Sequence, residues 1–125
     1  MTPVVLHTGA LIALERRDPA MASIILTIAR ENIPTYVPAG VIAQVWRNSP
    51  RQHDIMRLLN TEVVNIDILD RKKAFEVGAL LAQSGTSDIV DAHVALLAQR
   101  LGAIVYTSDP QDIERLNANL KIVAV

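Results

Sequence analysis

Residues 87–110 read Ser87-Asp88-Ile89-Val90-Asp91-Ala92-His93-Val94-Ala95-Leu96-Leu97-Ala98-Gln99-Arg100-Leu101-Gly102-Ala103-Ile104-Val105-Tyr106-Thr107-Ser108-Asp109-Pro110, and they decide the fold. Ser87-Asp88 opens a helix whose apolar positions are Ile89, Val90, Val94 and Leu97. Gly102 closes it, because a helix end commonly needs a left-handed residue that glycine supplies without strain. Ile104–Tyr106 is a short apolar run, suited to a strand buried on both faces. Asp109-Pro110 then caps another helix, with proline at the first helical position, where its missing N–H costs nothing. A helix, a short turn, a strand and a new helix make the repeating unit of a parallel sheet.

The same alternation extends to both ends of the chain. Val4–Leu6 predicts a first strand, and Thr8 a cap for the helix carrying Leu11, Ile12 and Glu15. Asp18-Pro19 opens a helix to about Arg30, and Thr35–Val37 is a second strand closed by Pro38. A helix through Val41, Ile42 and Val45 ends near Trp46, and Ser49-Pro50 starts another to about Asn60. Val63–Ile66 is a third strand, Asp67 is expected to cap a long helix ending at Gly85, and Lys121–Val125 is a fifth strand. The expected fold class is α/β, a parallel sheet covered by helices on both faces, in a single domain over residues 1–125.

Composition sets limits on function. The chain has 125 residues, half of them hydrophobic but only 3% aromatic, so the core is built from Ala, Leu, Ile and Val. A formal net charge of -1 announces no global attraction to nucleic acid, though it leaves a local basic patch open. There is no cysteine, which excludes disulfides and thiolate metal sites and suits a reducing cytoplasm. No apolar run reaches the roughly 18 residues of a membrane span, and the N-terminus lacks the pattern of a signal peptide. A mature, cytoplasmic protein with no membrane association is expected.

In open α/β sheets, sites form outside the carboxyl ends of strands where the strand order reverses. Here that means just after Leu6, Val37, Ile66 and Tyr106. His7 follows the first strand and Asp109 the fourth. Asp88 and Asp91 stand three apart on one helix face, with the small residues Ala92 and Ala95 allowing close approach to the sheet. Asp112 lies one turn beyond Asp109. Clustered carboxylates are the usual way to hold hard cations such as Mg²⁺ or Mn²⁺, which activate water and neutralise phosphate charge. The plain reading of Asp88 and Asp109 is a helix cap, since carboxylates accept from free amides at helix starts. Asp91 resists it, because it lies deeper in its helix, where Asp has poor propensity.

Four segments together resemble the PIN-domain family, specifically VapC-type toxins of bacterial toxin–antitoxin pairs. They are Val4-Val5-Leu6-His7-Thr8-Gly9-Ala10-Leu11-Ile12-Ala13-Leu14, Val37-Pro38-Ala39-Gly40-Val41-Ile42-Ala43-Gln44-Val45-Trp46-Arg47, Thr86-Ser87-Asp88-Ile89-Val90-Asp91-Ala92-His93-Val94-Ala95-Leu96-Leu97-Ala98 and Val105-Tyr106-Thr107-Ser108-Asp109-Pro110-Gln111-Asp112. The resemblance spans nearly the whole chain. It implies a three-layer α/β/α sandwich with a parallel five-stranded sheet. It further implies a Mg²⁺- or Mn²⁺-dependent endoribonuclease acting on RNA, neutralised by a small antitoxin protein and forming homodimers. By the same resemblance the catalytic acids are Asp91, Asp109 and Asp88, and the metal ligands Asp91, Asp109, Asp112 and His7.

Two positions depart from that pattern. The family has Asp where His7 stands and Glu where Gln44 stands. A neutral imidazole suits Mn²⁺ or Zn²⁺ better than Mg²⁺, and Gln44 keeps the shape of Glu without its charge. The departures fit a silent PIN domain, an enzyme with altered metal preference, or changes introduced or selected against toxicity. Each residue also has a plain reading: His7 hydrogen-bonded to a neighbouring Asp, and Gln44 bonded within a polar pocket. Arg16, Arg17, Arg47 and Arg51 either line a phosphate path or form a solvated surface. Trp46 either stacks a base or packs at a core edge. The apolar faces of the early helices offer a seat for an amphipathic antitoxin segment. A signalling receiver domain, which would need an acid in place of His7 and a lysine after the fifth strand, and a nucleotide-binding fold, which would need a Gly-rich loop after the first, fit less well.

Overall fold

Strand β1 (Val4–Leu6) is completely buried and lies at the centre of the sheet. The computed structural model describes residues 1–125. After β1 come α1 (Thr8–Glu15), α2 (Pro19–Glu31), β2 (Thr35–Pro38), α3 (Ala39–Val45), a single 3₁₀ turn (Pro50–Gln52) and α4 (His53–Leu59). Then follow β3 (Val64–Asp67), α5 (Arg71–Ser84), α6 (Ile89–Leu101), β4 (Ile104–Thr107), α7 (Pro110–Leu116) and β5 (Lys121–Ala124). All four strand pairings are parallel, in the order β3-β2-β1-β4-β5.

With right-handed crossovers, that order puts helices on both faces of the sheet. The chain steps from β1 outward to β2 and β3 through α1–α4, which pack on one another. It then returns across the sheet to β4 and β5 through α5–α7, which form the second helical layer. The expected three-layer α/β/α sandwich is therefore what forms. Val5, Leu6, Leu11, Val37, Val41, Val94, Leu97 and Val105 fill its core with almost purely aliphatic packing. The reversal of strand order falls between β1 and β4.

Several local expectations need correction. Thr8 is not a cap: it is the first residue of α1, and His7 at the cap position makes no capping hydrogen bond. Asp67 does not cap α5. Asp70 does, accepting from the Lys73 N–H at 2.9 Å, which leaves Asp67 as the last residue of β3. Asp109 occupies the cap position of α7, yet its carboxylate bonds no helix amide. Asp88 does cap, accepting from the Asp91 N–H at 2.9 Å. Ser49-Pro50 opens the 3₁₀ turn before α4 begins.

Two glycines let the loops at the carboxyl edge converge. A Cβ at Gly9 would lie 2.0 Å from Ser108 Oγ and 2.8 Å from the Ser108 backbone nitrogen, so α1 and the loop after β4 touch there. A Cβ at Gly40 would meet Val90 Cγ2 at 2.9 Å, which brings the starts of α3 and α6 together. Gly78 in α5 has open space around it. Gly9→Ala should therefore cost about 1–3 kcal/mol, because backbone as well as side chain must move. Gly78→Ala should be neutral or stabilising by up to about 1 kcal/mol, as expected for a helix interior. Urea denaturation of the two variants checks this contrast, and equal stability would contradict the close packing at Ser108.

Candidate functional site

The carboxyl ends of β1 and β4 meet where the strand order reverses. His7 is the first residue after β1, and its backbone N–H donates to the Tyr106 carbonyl at 3.0 Å. Thr107 is the last residue of β4 and is completely buried. Asp91 reaches the same place from the first turn of α6. The His7 ring lies between them with its side chain 4% exposed. Its Nε2 is 2.8 Å from Asp91 Oδ1, and its Nδ1 is 2.7 Å from Thr107 Oγ1. Thr107 Oγ1 also accepts the Asp109 backbone N–H at 2.9 Å.

These contacts fix a direction. A carboxylate only accepts, so His7 Nε2 carries the proton given to Asp91. In the neutral ring Nδ1 is then the acceptor, and the Thr107 hydroxyl donates to it. A continuous line of hydrogen bonds thus runs from the Asp109 amide through Thr107 and His7 to Asp91. No buried side-chain nitrogen or oxygen is left without a partner. The plain reading of His7 holds: it is satisfied by a neighbouring aspartate.

The remaining carboxylates lie around this line. Asp88, Asp91 and Asp112 line an open cleft of about 350 Å³ together with Arg115. Arg115 stands 3.4 Å from Asp112, a solvent-exposed pair worth little in stability. Asp109 and Asp112 border the adjoining surface, with Ser108 Oγ 3.4 Å from Asp109 Oδ2. Gln44, exposed on α3, accepts the Thr8 hydroxyl with Oε1. The resemblance implies Mg²⁺ or Mn²⁺ held by Asp91, Asp109, Asp112 and His7. The residues present do not fit that ion. No three His, Asp or Glu side chains are grouped to hold a metal, and both His7 ring nitrogens are already engaged.

The arginines divide. Arg47 turns back on its own helix, donating to the Ala43 and Trp46 carbonyls at 3.1 and 2.7 Å. Arg17 faces Asp54 at 3.7 Å. Arg16 and Arg51 are exposed and form no ion pair. Trp46 is half-buried and packs against the core.

A second cluster lies at the end of β3, and sequence reasoning missed it. Asp67 bonds the buried His93 Nε2 at 2.7 Å and Lys73 Nζ at 3.0 Å, with Arg100 Nη2 at 3.8 Å. The available signal was positional: Asp67 stands directly after Ile66, at one of the strand ends where sites form. His93 lies two residues after Asp91, roughly 200° around α6, and so points the other way along the sheet. Burial works to raise the Asp67 pKa, but hydrogen bonds from His93 and Lys73, and then their charges, outweigh it and hold it below its ordinary 3.8. The Gln52 side chain is likewise buried, and was unforeseen. It joins Glu15, the Val45 carbonyl and the Arg47 amide, and so ties α1 to the end of α3.

No family model matches the sequence, and no curated protein resembles it in sequence. Solved structures do resemble it in shape. A chain of VapBC2 from Rickettsia felis, determined bound to a DNA fragment from the VapBC2 promoter, matches with a TM-score of 0.74 and 18% identity over 98% of both chains. A chain of FitAB bound to an IR36 DNA fragment matches at 0.62 and 14% identity, covering 97% of this chain and 94% of that one. PAE2754 from Pyrobaculum aerophilum matches at 0.61 and 18% identity, covering 98% and 91%. At such identities the likeness is one of fold, and the fold is the PIN-domain, VapC-like one that the sequence resembles.

The lowered Asp67 pKa fixes a sign. A carboxylate with a depressed folded pKa stabilises the protein above its unfolded value and loses that contribution as pH falls through the folded value. The melting-temperature difference between the native chain and Asp67→Asn should be constant from neutral pH to about pH 5 and shrink below 3.8. A difference that grows on acidification would contradict the cluster.

Proposed function

We propose that this chain is a VapC-like PIN-domain protein of a toxin–antitoxin pair, built as a metal-dependent endoribonuclease and disarmed at two of its acids. One observation carries this reading. The His7 ring lies buried at the strand-order reversal, where the resemblance calls for an acid, and is bonded to Asp91 and Thr107. Asp91 and Asp109 are the surviving pair of acids, with Asp88 and Asp112 beside them. Gln44 cannot act as a base and carries no charge. What the chain retains is a surface for RNA and for a small antitoxin. The exposed Arg16 and Arg51 are suited to phosphate contact.

The antitoxin part of the reading draws on the early helices. Leu14, Ile25, Leu26, Ile28, Leu58 and Val63 line an open apolar groove of about 340 Å³ involving α2 and α4. Leu26 is 57% exposed there. Such a groove suits the apolar face of an amphipathic segment. VapBC2 and FitAB were each solved on DNA, and a small DNA-binding protein encoded beside this chain's gene would support the pairing. Homodimer formation and a cytoplasmic setting belong to the same proposal. No helix is long and apolar enough to cross a membrane.

RNA cleavage with Mg²⁺ and with Mn²⁺ tests the reading. The native chain should cut no faster than the metal alone. His7→Asp/Gln44→Glu should gain on the order of 10²-fold, a typical contribution of properly placed charge in an active site. Cleavage by the native chain would refute the disarmed site, and no cleavage by either form would count against nuclease ancestry.

A further inference from the structure

We infer that the His7 ring performs the structural work of a metal ion at this site, so that the fold is complete without a divalent cation. The inference rests on reading the site as one derived from a metal centre. An ion among clustered carboxylates does two things there. It relieves the repulsion between the acids, and it cross-links the elements that carry them. The His7 ring does both by other means. It gives Asp91 a hydrogen-bond donor at 2.8 Å, and it adds no carboxylate of its own to the cluster. Through Nδ1 it fastens the end of β4 to the end of β1, and through Nε2 it fastens α6 to both.

The ring is tied to the chain, so its position costs no binding equilibrium. Thr107 is part of the same device. Its hydroxyl holds Nδ1 at 2.7 Å while accepting the Asp109 amide, which locks the loop that carries Asp109. That loop has no slack, because Ser108 already touches Gly9. For His7 to ligate a metal through Nε2, the ring would have to release Asp91 and give up that proton. The native site therefore resists the ion by being satisfied.

Restoring the acid should reverse this dependence. His7→Asp removes the cross-link and places a second carboxylate beside Asp91 in a buried position, a change among the larger destabilisations a single substitution causes. Thr107→Val keeps the shape and removes the hydroxyl.

Melting temperature and calorimetric titration with Mn²⁺ test the inference, with chelator as reference. The native protein should melt within about 1 °C in chelator and in millimolar Mn²⁺, and should show no binding tighter than about 1 mM. His7→Asp should melt about 10 °C lower in chelator and recover at least about 5 °C with Mn²⁺. Thr107→Val should melt lower than native and ignore Mn²⁺. Stabilisation of the native protein by Mn²⁺ overturns the inference while leaving nuclease ancestry untouched. Thr107→Val melting with the native protein overturns it as well, and this variant decides the matter if His7→Asp fails to fold. Mn²⁺ binding by His7→Asp/Gln44→Glu without RNA cleavage supports the inference even as the nuclease reading falls.

Discussion

Everything at the carboxyl edge depends on one constraint: polar groups brought to the end of a buried parallel strand must find partners within the protein. β1 has neighbours on both sides and helices on both faces, so the side chain that follows it cannot turn to water. An unsatisfied polar group there would cost about 1–3 kcal/mol. His7 meets the constraint by spending both ring nitrogens, one on Thr107 and one on Asp91. The Asp109 amide then has a fixed acceptor in Thr107.

Helix α6 meets the same constraint twice. At Asp91 a helix carboxylate receives a histidine from the end of a strand. At His93 a helix histidine meets an aspartate from the end of β3. The two pairs are mirror images in their chemistry and lie two residues apart, on opposite sides of the helix. Between them they fix both the rotation of α6 and its height over the sheet. The rest of its buried face, Ala92, Val94, Ala95, Leu97 and Ala98, packs through apolar contact. The satisfied polar pairs add specificity to that apolar contact.

The sequence made the architecture readable because its punctuation is local. Asp18-Pro19, Gly85 and Gly102 mark helix boundaries through their own backbone chemistry, and the apolar runs mark strands without reference to anything distant. The positions of His7 and Asp109 just beyond β1 and β4 were also readable, since strand ends are readable. What failed was the assignment of partners. Asp67 and Asp109 look identical to helix caps in one dimension, yet neither carboxylate caps. Asp70 supplies the cap for α5, and the Asp109 backbone has φ −124° and ψ 64°, with no side-chain bond into α7. The roles of Gln52 and His93 depend on contacts between elements distant in sequence, for which no local pattern exists.

The central hydrogen bond of the site joins residues 100 positions apart, and β1 itself needs β4 as a neighbour. During synthesis β1 emerges well before β4, its second partner. At ordinary elongation rates the wait is about 5–20 s. Through that interval one edge of β1 is unpaired, which makes it an aggregation-prone edge. The site cannot preassemble on an N-terminal fragment. Whatever the completed crevice binds, a nascent chain that has not yet released β4 cannot bind it.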